Sequence, residues 1–464
     1  MMFSTRHFVR IVLASLLALI GATSAAAGVA RAADYVSGEV VVGYAPTPAA
    51  TVAKAFERRM GVRASAASAP SPGEQVLRLP KGMSVSGAVA RLRHEPGVAY
   101  AVPDYIAHIA GAFYPNDPGH SHAAHGWESM QWNFLPADGV NAPEAWANLI
   151  ADHRPGGRGV VVAVLDTGVA YTNWHQFKRS PDFAGTKFVD PYDFVAGNQF
   201  PLDREGHGTF VAGTIAETTN NGFGLTGLAY GASIMPVRIL DADGTGDAVT
   251  ISKGIRYAVT HGAQVINLSL EFSLDVTSTD IPDIISAIRF AHSHGVVVVA
   301  ASGNEGVEQV AYPARAPDVI SVGATTRDRC LANYSNGGGG LDLVAPGGGD
   351  DSPLPSDPDC HPDRSLSDIY QMTFFDSSNP NHFGFPGGWF GTSMSSPHVA
   401  AAAALVIASG VLGRHPTPAQ VLARLEATAE PLGGAVPNQY YGFGLINVGA
   451  ATSPPAASHA GRGH

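Results

Sequence analysis

The chain of 464 residues is long enough for a large hydrophobic core and for two or three domains. Hydrophobic residues make up 45% of it and charged residues only 14%, which excludes an intrinsically disordered protein. The formal net charge is -11 and no long basic run follows the N-terminus, so we expect no nucleic acid among its partners.

Residues 1–32 have the pattern of a secretory signal peptide. Arg6 and Arg10 precede an apolar stretch at 11–20, and Ala30-Arg31-Ala32 supplies an A-x-A cleavage site. A membrane anchor is the alternative, but the apolar stretch is shorter than the roughly 20 residues that a spanning helix needs. We therefore expect a secreted, extracellular protein that keeps no membrane contact after the signal peptide is removed.

A compact first unit is predicted for residues 33–108. Its strands fall at 38–44, 75–79 and 98–102, and its helices at 49–60 and 84–93. Ser84 is a suitable N-cap for the second helix. The order β-α-β-α-β predicts a small α+β domain whose sheet is covered on one face.

Residues 109–129 form a linker that is rich in Gly, Pro, Ala and His. His120, His122 and His125 could ligate a metal, but no nearby Cys or further His completes a set. An exposed loop that carries a processing site is the better explanation of this composition.

From Gly159 onward the pattern changes to short, continuous apolar strands separated by helices. The strands fall at 160–165, 233–240, 264–270, 296–300 and 319–322, and two helices fall at 249–261 and 281–294. Gly262 and Gly295 follow these helices at the position where a chain commonly turns out of a helix. The alternation predicts an α/β domain with a mostly parallel sheet and helices on both faces. Residues 453–464 are predicted to form a flexible tail.

Four polar residues lie at strand ends or helix starts of this domain. Asp166 ends the first strand, His207 lies between two glycines before an apolar helix, and Asn304 follows the fourth strand. Ser393 precedes the apolar run 399–408, which predicts a buried helix. Each residue alone is explained as a turn, cap or structural residue. Because sites gather at the carboxyl ends of parallel strands, we expect all four to meet there.

Together these residues supply the roles that acyl transfer needs. Ser393 would attack a carbonyl carbon, and His207 would take its proton and later give it to the leaving amine. Asp166 would hold the imidazole tautomer and stabilise the imidazolium. Asn304 and the backbone N–H of Ser393 would bind the oxyanion, and one such donor lowers the barrier by roughly 3–4 kcal/mol.

The segments around these residues resemble those of the subtilisin (subtilase) family of serine proteases, in the order Asp166, His207, Ser393. The resemblance covers about residues 130–450. It implies a subtilisin-like catalytic domain at 130–452 that acts as a serine endopeptidase on protein or peptide substrates.

The unit at 33–108 resembles the inhibitory propeptide of that family, most clearly at Gly38-Glu39-Val40-Val41-Val42-Gly43 and at 96–105. The resemblance implies a zymogen. Its propeptide would assist folding, block the cleft as an intramolecular inhibitor and be removed autocatalytically. We place the cut in the linker at 109–129 and expect a monomeric enzyme.

Two segments match, by position, the edges that pair with an extended substrate in the family: Gly244-Thr245-Gly246 and Ser269-Leu270-Glu271. Glu271 is a departure, because the family usually has Gly there. Its carboxylate could favour basic substrate side chains, narrow the specificity pocket or face solvent. Phe210 replaces the family's usual second His and should leave the catalytic residues undisturbed.

The resemblance also implies a structural calcium ion. Asp182 matches a calcium ligand of the family, and Asn221 lies in a loop at 218–222 that resembles the loop around the same ion. Oxygen ligands of this kind suit a hard cation. A plain polar turn is the alternative, because the N-terminal ligand is not identifiable from the sequence.

Cys330 and Cys360 are the two cysteines of the chain. They could form one disulfide in an oxidising compartment or remain free thiols. Cys360 lies in an acidic segment, 347–388, that is longer than the corresponding part of the family. We interpret the segment as a surface insertion that could shape the cleft.

Two other functions compete with a serine endopeptidase. A catalytically silent homologue would act as a binding protein, but all four catalytic positions are occupied here. An acid-acting serine-carboxyl peptidase of related fold would, by resemblance, have Glu in place of His207. A pH–activity profile separates the two enzymes, because a histidine base needs a pH near or above about 7.

Overall fold

The computed structural model describes residues 35–45, 63–64, 73–80, 82–105, 111–120, 125–354, 360–361 and 367–454. The predicted signal peptide, the predicted helix at 49–60, His122 and nearly all of the predicted tail lie outside these ranges. Within them, no helix is long and apolar enough to cross a membrane.

The N-terminal domain is an antiparallel sheet of four strands with a helix against it. Its elements are β1 (Tyr35–Tyr44), β2 (Arg63–Ala64), β3 (Glu74–Arg78), α1 (Val85–Leu92) and β4 (Val98–Tyr105). The strand order is β2-β3-β1-β4. The hydroxyl of Ser84 accepts the N–H of Gly87 at 3.1 Å and so caps α1, as predicted.

One face of this sheet carries the core of the N-terminal domain. Val40 and Val42 of β1 point to the same face and pack with Leu77 of β3. Val89 and Leu92 of α1 cover them. This arrangement confirms the predicted small α+β domain with one covered face.

The main domain is built on an eight-stranded parallel sheet. Its strands are β5 (Val161–Asp166), β6 (Lys187–Phe188), β7 (Tyr192–Asp193), β8 (Ser233–Arg238), β9 (Val265–Leu268), β10 (Val297–Ala301), β11 (Val319–Thr325) and β12 (Leu343–Pro346). The order is β12-β11-β10-β9-β5-β8-β6, and β7 also pairs with β8. The predicted parallel sheet is confirmed.

Helices cover both faces of this sheet, as predicted. They are α2 (Ala142–Ala151), α3 (His207–Ala216), α4 (Ala248–Thr260), α5 (Pro282–Ser293), α6 (Thr392–Ser409), α7 (Pro418–Thr428) and α8 (Val448–Thr452). Successive residues of β5 point to opposite faces of the sheet and pack against different helices. Val164 packs with α3 and α6, whereas Leu165 packs with α4 and α5. Gly262 and Gly295 adopt φ values of 87° and 78° just after α4 and α5, which confirms them as helix stops.

Some elements have no clear pattern in the sequence. Strands β6 and β7 contain two residues each, which is too short for a recognisable alternation. Helix α6 begins at Thr392, well before the apolar run at 399–408. Its first turns are polar but buried, since Ser395 and Ser396 are fully buried, so hydrophobicity alone does not reveal where the helix starts.

Cys330 and Cys360 form a disulfide, with their Cα atoms 5.6 Å apart. The bridge fastens the predicted insertion at 347–388 to the main domain. Within that insertion, β13 (Thr373–Phe374) pairs antiparallel with β14 (Phe383–Gly384). Of the two alternatives for the cysteines, the structure contains the disulfide.

Candidate active site

The candidate site lies at the edge of the main sheet where its central strands end. Asp166 is the last residue of β5, His207 is the first residue of α3, and Ser393 is the second residue of α6. Asn304 follows β10. His207 and Ser393 line one cleft, and Asp166 is hydrogen-bonded to His207. The structure therefore brings the predicted residues to the carboxyl ends of the strands.

Asp166 and His207 are joined by a 2.8 Å hydrogen bond between Oδ1 and Nδ1. Asp166 is fully buried, and its Oδ1 also accepts the N–H of Thr167 at 2.7 Å. The start of α3 can approach β5 because residue 208 is glycine: a Cβ on Gly208 would lie 2.1 Å from the carbonyl oxygen of Gly168. The bond to Asp166 favours the tautomer of His207 that carries its proton on Nδ1 and leaves Nε2 as an acceptor.

His207 lies in a field of negative charge. Burial lowers its pKa, but the charges of Asp166, Glu205 and Asp203 outweigh this effect and raise the pKa to about 9. Glu205 makes direct contact, because its Oε2 accepts the backbone N–H of His207 at 2.6 Å. An imidazole with this pKa is mostly protonated at neutral pH and becomes an effective base only at alkaline pH.

Asp203 organises the loop before α3. Its buried carboxylate accepts hydrogen bonds of 2.6–3.0 Å from Thr167 Oγ1, Glu205 N, Gly206 N, Thr209 N and Thr209 Oγ1. The loop and the first turn of α3 are therefore fixed around one side chain. Asp203 is absent from the predicted site, although an Asp shortly before a helix is a recognised capping signal.

Ser393 and Ser269 are joined by two hydrogen bonds, each from the hydroxyl of one residue to the carbonyl oxygen of the other. The hydroxyl of Ser393 donates to the carbonyl oxygen of Ser269 at 3.3 Å, and the hydroxyl of Ser269 donates to the carbonyl oxygen of Ser393 at 2.8 Å. Pro397, inside α6, explains the second bond. Because proline has no N–H, it leaves the carbonyl one turn earlier in the helix free to accept from outside. Asn267 supports Ser269, because its Nδ2 donates to the Ser269 hydroxyl at 2.9 Å.

Asn304 links the start of α6 to Glu271. Its Oδ1 accepts the N–H and the hydroxyl of Thr392, at 2.9 and 3.0 Å. Its Nδ2 donates to Oε1 of Glu271 at 3.1 Å, and its backbone N–H donates to Oε2 at 3.2 Å. The amide of Asn304 is thus oriented from both ends, and the carboxylate of Glu271 is directed at Asn304.

The cleft in front of His207 and Ser393 is lined by both segments of the chain that are predicted to bind substrate. Its lining includes Gly244, Thr245, Gly246, Ser269, Leu270 and Glu271. The two segments follow β8 and β9, the strands on either side of β5, so they reach the same edge of the sheet. The cleft therefore presents two backbone segments next to the candidate catalytic residues.

An aromatic pair from distant parts of the chain lies beside His207. Phe210 is fully buried and stacks on Trp389, with ring centroids 4.8 Å apart. The ring of Trp389 lies 6.2 Å from that of His207, and Trp132, Ile369 and Met394 complete the apolar cluster. Phe210 thus coexists with an intact hydrogen bond from His207 to its carboxylate partner. No sequence pattern indicated Trp389.

A second group of buried carboxylates lies around Asp182. Its Oδ1 accepts from Nδ2 of Asn221 at 3.2 Å, and its Oδ2 accepts the N–H of Leu225 at 2.8 Å. Asp117, from the N-terminal end of the main domain, accepts the N–H groups of Asn220 and Asn221 at 2.7 and 3.0 Å. Burial raises the pKa of Asp117 to about 6 and that of Asp182 to about 7.

This group has the oxygen donors that a hard cation requires. Glu217 adds a third carboxyl, whose pKa is raised by burial and by the charges of Asp182 and Asp117. Its buried Oε2 has no hydrogen-bond partner in the described part of the chain. The described residues, however, include no set of three His, Cys, Asp or Glu side chains arranged to hold a metal ion. His120 and His125 therefore belong to no such set among the described residues.

Comparisons with known protein families agree with the geometry. A model of the peptidase S8 Subtilase family matches residues 157–444. A model of the fervidolysin N-terminal prodomain matches residues 21–104, a range that includes the small antiparallel sheet except the last residue of β4. A solved structure of proteases from Pseudoalteromonas arctica is similar with a TM-score of 0.58 and 29% identity, over 73% of this chain and 98% of the other.

Characterised relatives are similar over most of the chain. A thermophilic serine proteinase of Bacillus sp. (strain AK1) is 32% identical over 416 residues, which cover 89% of this chain and 86% of the relative. Subtilisin E of Bacillus subtilis (strain 168) is 35% identical over 377 residues, which are 78% of each chain. Subtilisin BL of Lederbergia lenta is 37% identical over 329 residues, 70% of this chain and 99% of the relative. The chain therefore belongs to the subtilase family and is a subtilisin-like serine peptidase with an N-terminal prodomain.

Proposed function

We propose that the protein is a secreted serine endopeptidase that works through Asp166, His207 and Ser393 by way of an acyl-enzyme. The observation that carries the proposal is the 2.8 Å hydrogen bond between Asp166 and His207, beside a cleft that also contains Ser393. In the reaction, the hydroxyl of Ser393 breaks its hydrogen bond to the carbonyl oxygen of Ser269 and turns towards His207. It gives its proton to His207 Nε2 while its oxygen attacks the substrate carbonyl carbon. His207 then protonates the leaving amine and activates the water that releases the acyl group.

Two donors are proposed to stabilise the oxyanion: the backbone N–H of Ser393 in the first turn of α6 and the side-chain amide of Asn304. Nδ2 of Asn304 carries two hydrogens, of which Glu271 accepts one. The other is available to the oxyanion. Thr392 supports this role, because it fixes the opposite end of the amide.

The substrate is proposed to be an extended segment of a protein or peptide. Its backbone would pair with the segments Gly244-Thr245-Gly246 and Ser269-Leu270-Glu271, which line the cleft. Pairing of this kind provides affinity through main-chain hydrogen bonds and makes few demands on the substrate sequence. Specificity must therefore come from the side chains that face the cleft.

The enzyme is proposed to be made as a monomeric zymogen whose N-terminal domain inhibits it and is removed by the enzyme itself. The prodomain match ends at residue 104. Soon afterwards the chain is part of the main domain, because the N–H of Phe113 donates to the carbonyl of Pro143 at 2.9 Å and Tyr114 lies in the core. These contacts favour a cut between residues 105 and 111, at or just before the start of the predicted linker.

We also propose a structural calcium ion held by Asp182 and Asn221. Asp117 is the contributor from the N-terminal side that the sequence did not identify. The bound ion supplies positive charge that offsets the buried carboxylates. These residues would thereby fasten the segment of Asp117 to the loop at 218–222, outside the catalytic chemistry.

Labelling with a fluorophosphonate, followed by peptide mass spectrometry, tests the proposed mechanism. We expect the label on Ser393, and we expect it to be lost on denaturation and in His207→Ala. Ser393→Ala should abolish casein hydrolysis and leave the N-terminal domain attached, whereas Ser278→Ala, at an exposed serine outside the cleft lining, should change neither. Folded, processed protein that takes no label would instead be a catalytically silent homologue. Normal processing of Ser393→Ala would mean that another protease makes the cut.

A further inference from the structure

Two acidic side chains line the substrate cleft close to the proposed site of bond cleavage. Among its described lining residues, Glu205 and Glu271 are acidic and none is Lys or Arg. Glu205 is engaged with the backbone N–H of His207. Glu271 belongs to the segment Ser269-Leu270-Glu271, and its carboxylate accepts hydrogen bonds from Asn304, a neutral residue.

Glu271 is held firmly at the wall of the cleft. The side chain is half-buried, and each of its carboxylate oxygens accepts one hydrogen bond from Asn304. Gly303 makes room for it, because a Cβ there would lie 2.5 Å from Oε2 of Glu271. Burial and the negative charge of Glu305 both disfavour the ionised form of Glu271 and raise its pKa. A carboxylate has about four acceptor positions, so positions remain for a further donor.

We propose that Glu271 is a specificity-determining residue that selects a cationic side chain, Lys or Arg, on the substrate residue whose carbonyl is attacked. The inference rests on the proposed function, because it takes Asn304 as an oxyanion donor. Since Glu271 is bonded to that donor, the substrate side chain nearest to it belongs to the residue that supplies the scissile carbonyl. A cation there completes the hydrogen bonds of a half-buried carboxylate and compensates its charge.

The same contact couples recognition to catalysis. An ionised Glu271 next to Asn304 opposes the negative charge that develops on the scissile oxygen, because like charges repel strongly in a partly buried site. A cationic side chain on the substrate cancels this repulsion. The preference for a basic residue is therefore expected in kcat as well as in KM.

Two peptides that differ only in lysine or norleucine at this position test the inference, because these side chains have similar apolar stems and differ in charge. With mature enzyme at about pH 8, the lysine peptide should have a kcat/KM higher by about tenfold or more. In Glu271→Gln, the kcat/KM values for the lysine and norleucine peptides should differ by no more than about twofold. We expect slower cleavage of the lysine peptide and faster cleavage of the norleucine peptide. Glu308→Gln makes the same charge change at an exposed residue outside the cleft lining and should keep the wild-type ratio.

A wild-type enzyme with no preference for lysine contradicts the inference, and so does an unchanged ratio in Glu271→Gln. Equal losses of kcat on both peptides would reduce Glu271 to a positioning residue for Asn304. Fluorophosphonate labelling separates the two proposals. An enzyme that is labelled on Ser393 but lacks the preference overturns the specificity alone, whereas a folded enzyme that takes no label and cleaves neither peptide overturns both.

A measurement on the wild type keeps the inference testable if Glu271→Gln does not fold. The rate at which Ser393 is labelled is compared in the presence of n-pentylamine and of n-pentanol, which differ in charge. The amine should slow labelling at a lower concentration, because only the amine can pair with Glu271. Equal protection by the two compounds would contradict a cation-selective carboxylate.

Discussion

The hydroxyl of Ser269 donates to the carbonyl of Ser393 at 2.8 Å, and the hydroxyl of Ser393 donates back to the carbonyl of Ser269 at 3.3 Å. The shorter bond replaces the helical bond that Pro397 cannot make. It joins the first turn of α6 to the wall of the cleft. The proposed nucleophile is therefore positioned by the same segment of the enzyme, Ser269-Leu270-Glu271, that is proposed to bind the substrate. The longer bond must break before the hydroxyl can donate to His207.

Ser269→Ala removes the donor to the half-buried Ser393 carbonyl and is expected to lower kcat about tenfold, with a loss of about 1 kcal/mol in the free energy of unfolding. KM should change little, because the backbone of residue 269 remains available to substrate. Steady-state kinetics and urea unfolding measure the two effects, with Ser278→Ala, at an exposed serine outside the cleft lining, as the control. A variant with wild-type kcat would show that the Ser269 hydroxyl does not position Ser393.

The activity should rise with pH, because His207 acts as a base only after it loses its proton. We expect the ascending limb of kcat/KM close to the pKa of His207, about 9. Glu205→Gln removes a negative charge that stabilises the imidazolium, so the pKa of His207 should fall and the limb should move to lower pH. Asp152→Asn, at an exposed residue just after α2, should leave the limb in place. A limb that stays in place or moves to higher pH in Glu205→Gln would contradict the assigned role of this charge.

Asn304→Ala is expected to lower kcat by about 10²–10³ with little effect on KM, because an oxyanion donor acts mainly in the transition state. The kinetics of peptide cleavage measure both constants. Asn379→Ala, in an exposed turn of the insertion, is the matched control. If Asn304→Ala weakened substrate binding alone, Asn304 would be a binding residue and another group would stabilise the oxyanion.

Replacing both Cys330 and Cys360 by serine is expected to lower the free energy of unfolding by about 3–4 kcal/mol, because the bridge closes a loop with a sequence separation of 30. Denaturant titration measures the loss. The wild type in dithiothreitol should show a similar loss, which controls for the effect of the new side chains. Equal unfolding midpoints for the variant and the oxidised wild type would mean that other contacts hold the insertion.

Calcium should raise the melting temperature of the mature protein, because an ion that binds only the folded state stabilises it by mass action. Asp182→Asn should remove this response, whereas Asp275→Asn, at an exposed residue, should keep it. Calorimetry with added calcium or with EDTA is the measurement. A melting temperature that responds to neither would exclude a structural calcium ion at Asp182.

The residues predicted for catalysis share one property: each stands at a strand end or helix start that a local sequence signal marks. Asp166 follows a continuous apolar strand, and His207 lies between two glycines at a helix start. Their supports have no such signal. Trp389, just after the insertion, reaches His207 only because it stacks on Phe210 of α3, and Pro397 matters only because Ser269 is near. Contacts between distant segments leave no periodicity in a single sequence, so they become visible only in the folded structure.

The fold likewise has elements with a clear local sequence pattern and elements that depend on contacts between distant segments. Long apolar strands and glycine-terminated helices of the main domain were predictable, because their patterns follow from burial on both sides of a sheet. The two-residue strands β6 and β7 and the hairpin of β13 and β14 were not. Their pairing depends on neighbouring strands rather than on their own composition.

Asn116 and Asp117 are joined to the loop at 220–222 by four hydrogen bonds. Chain ends are usually where proteolysis begins, because they are loosely held. Under the proposed activation, the new end of the mature enzyme starts a few residues before this fastened segment. Self-digestion would therefore find little loose chain to attack at this end, and an activated molecule would keep its N-terminus among many active copies of itself.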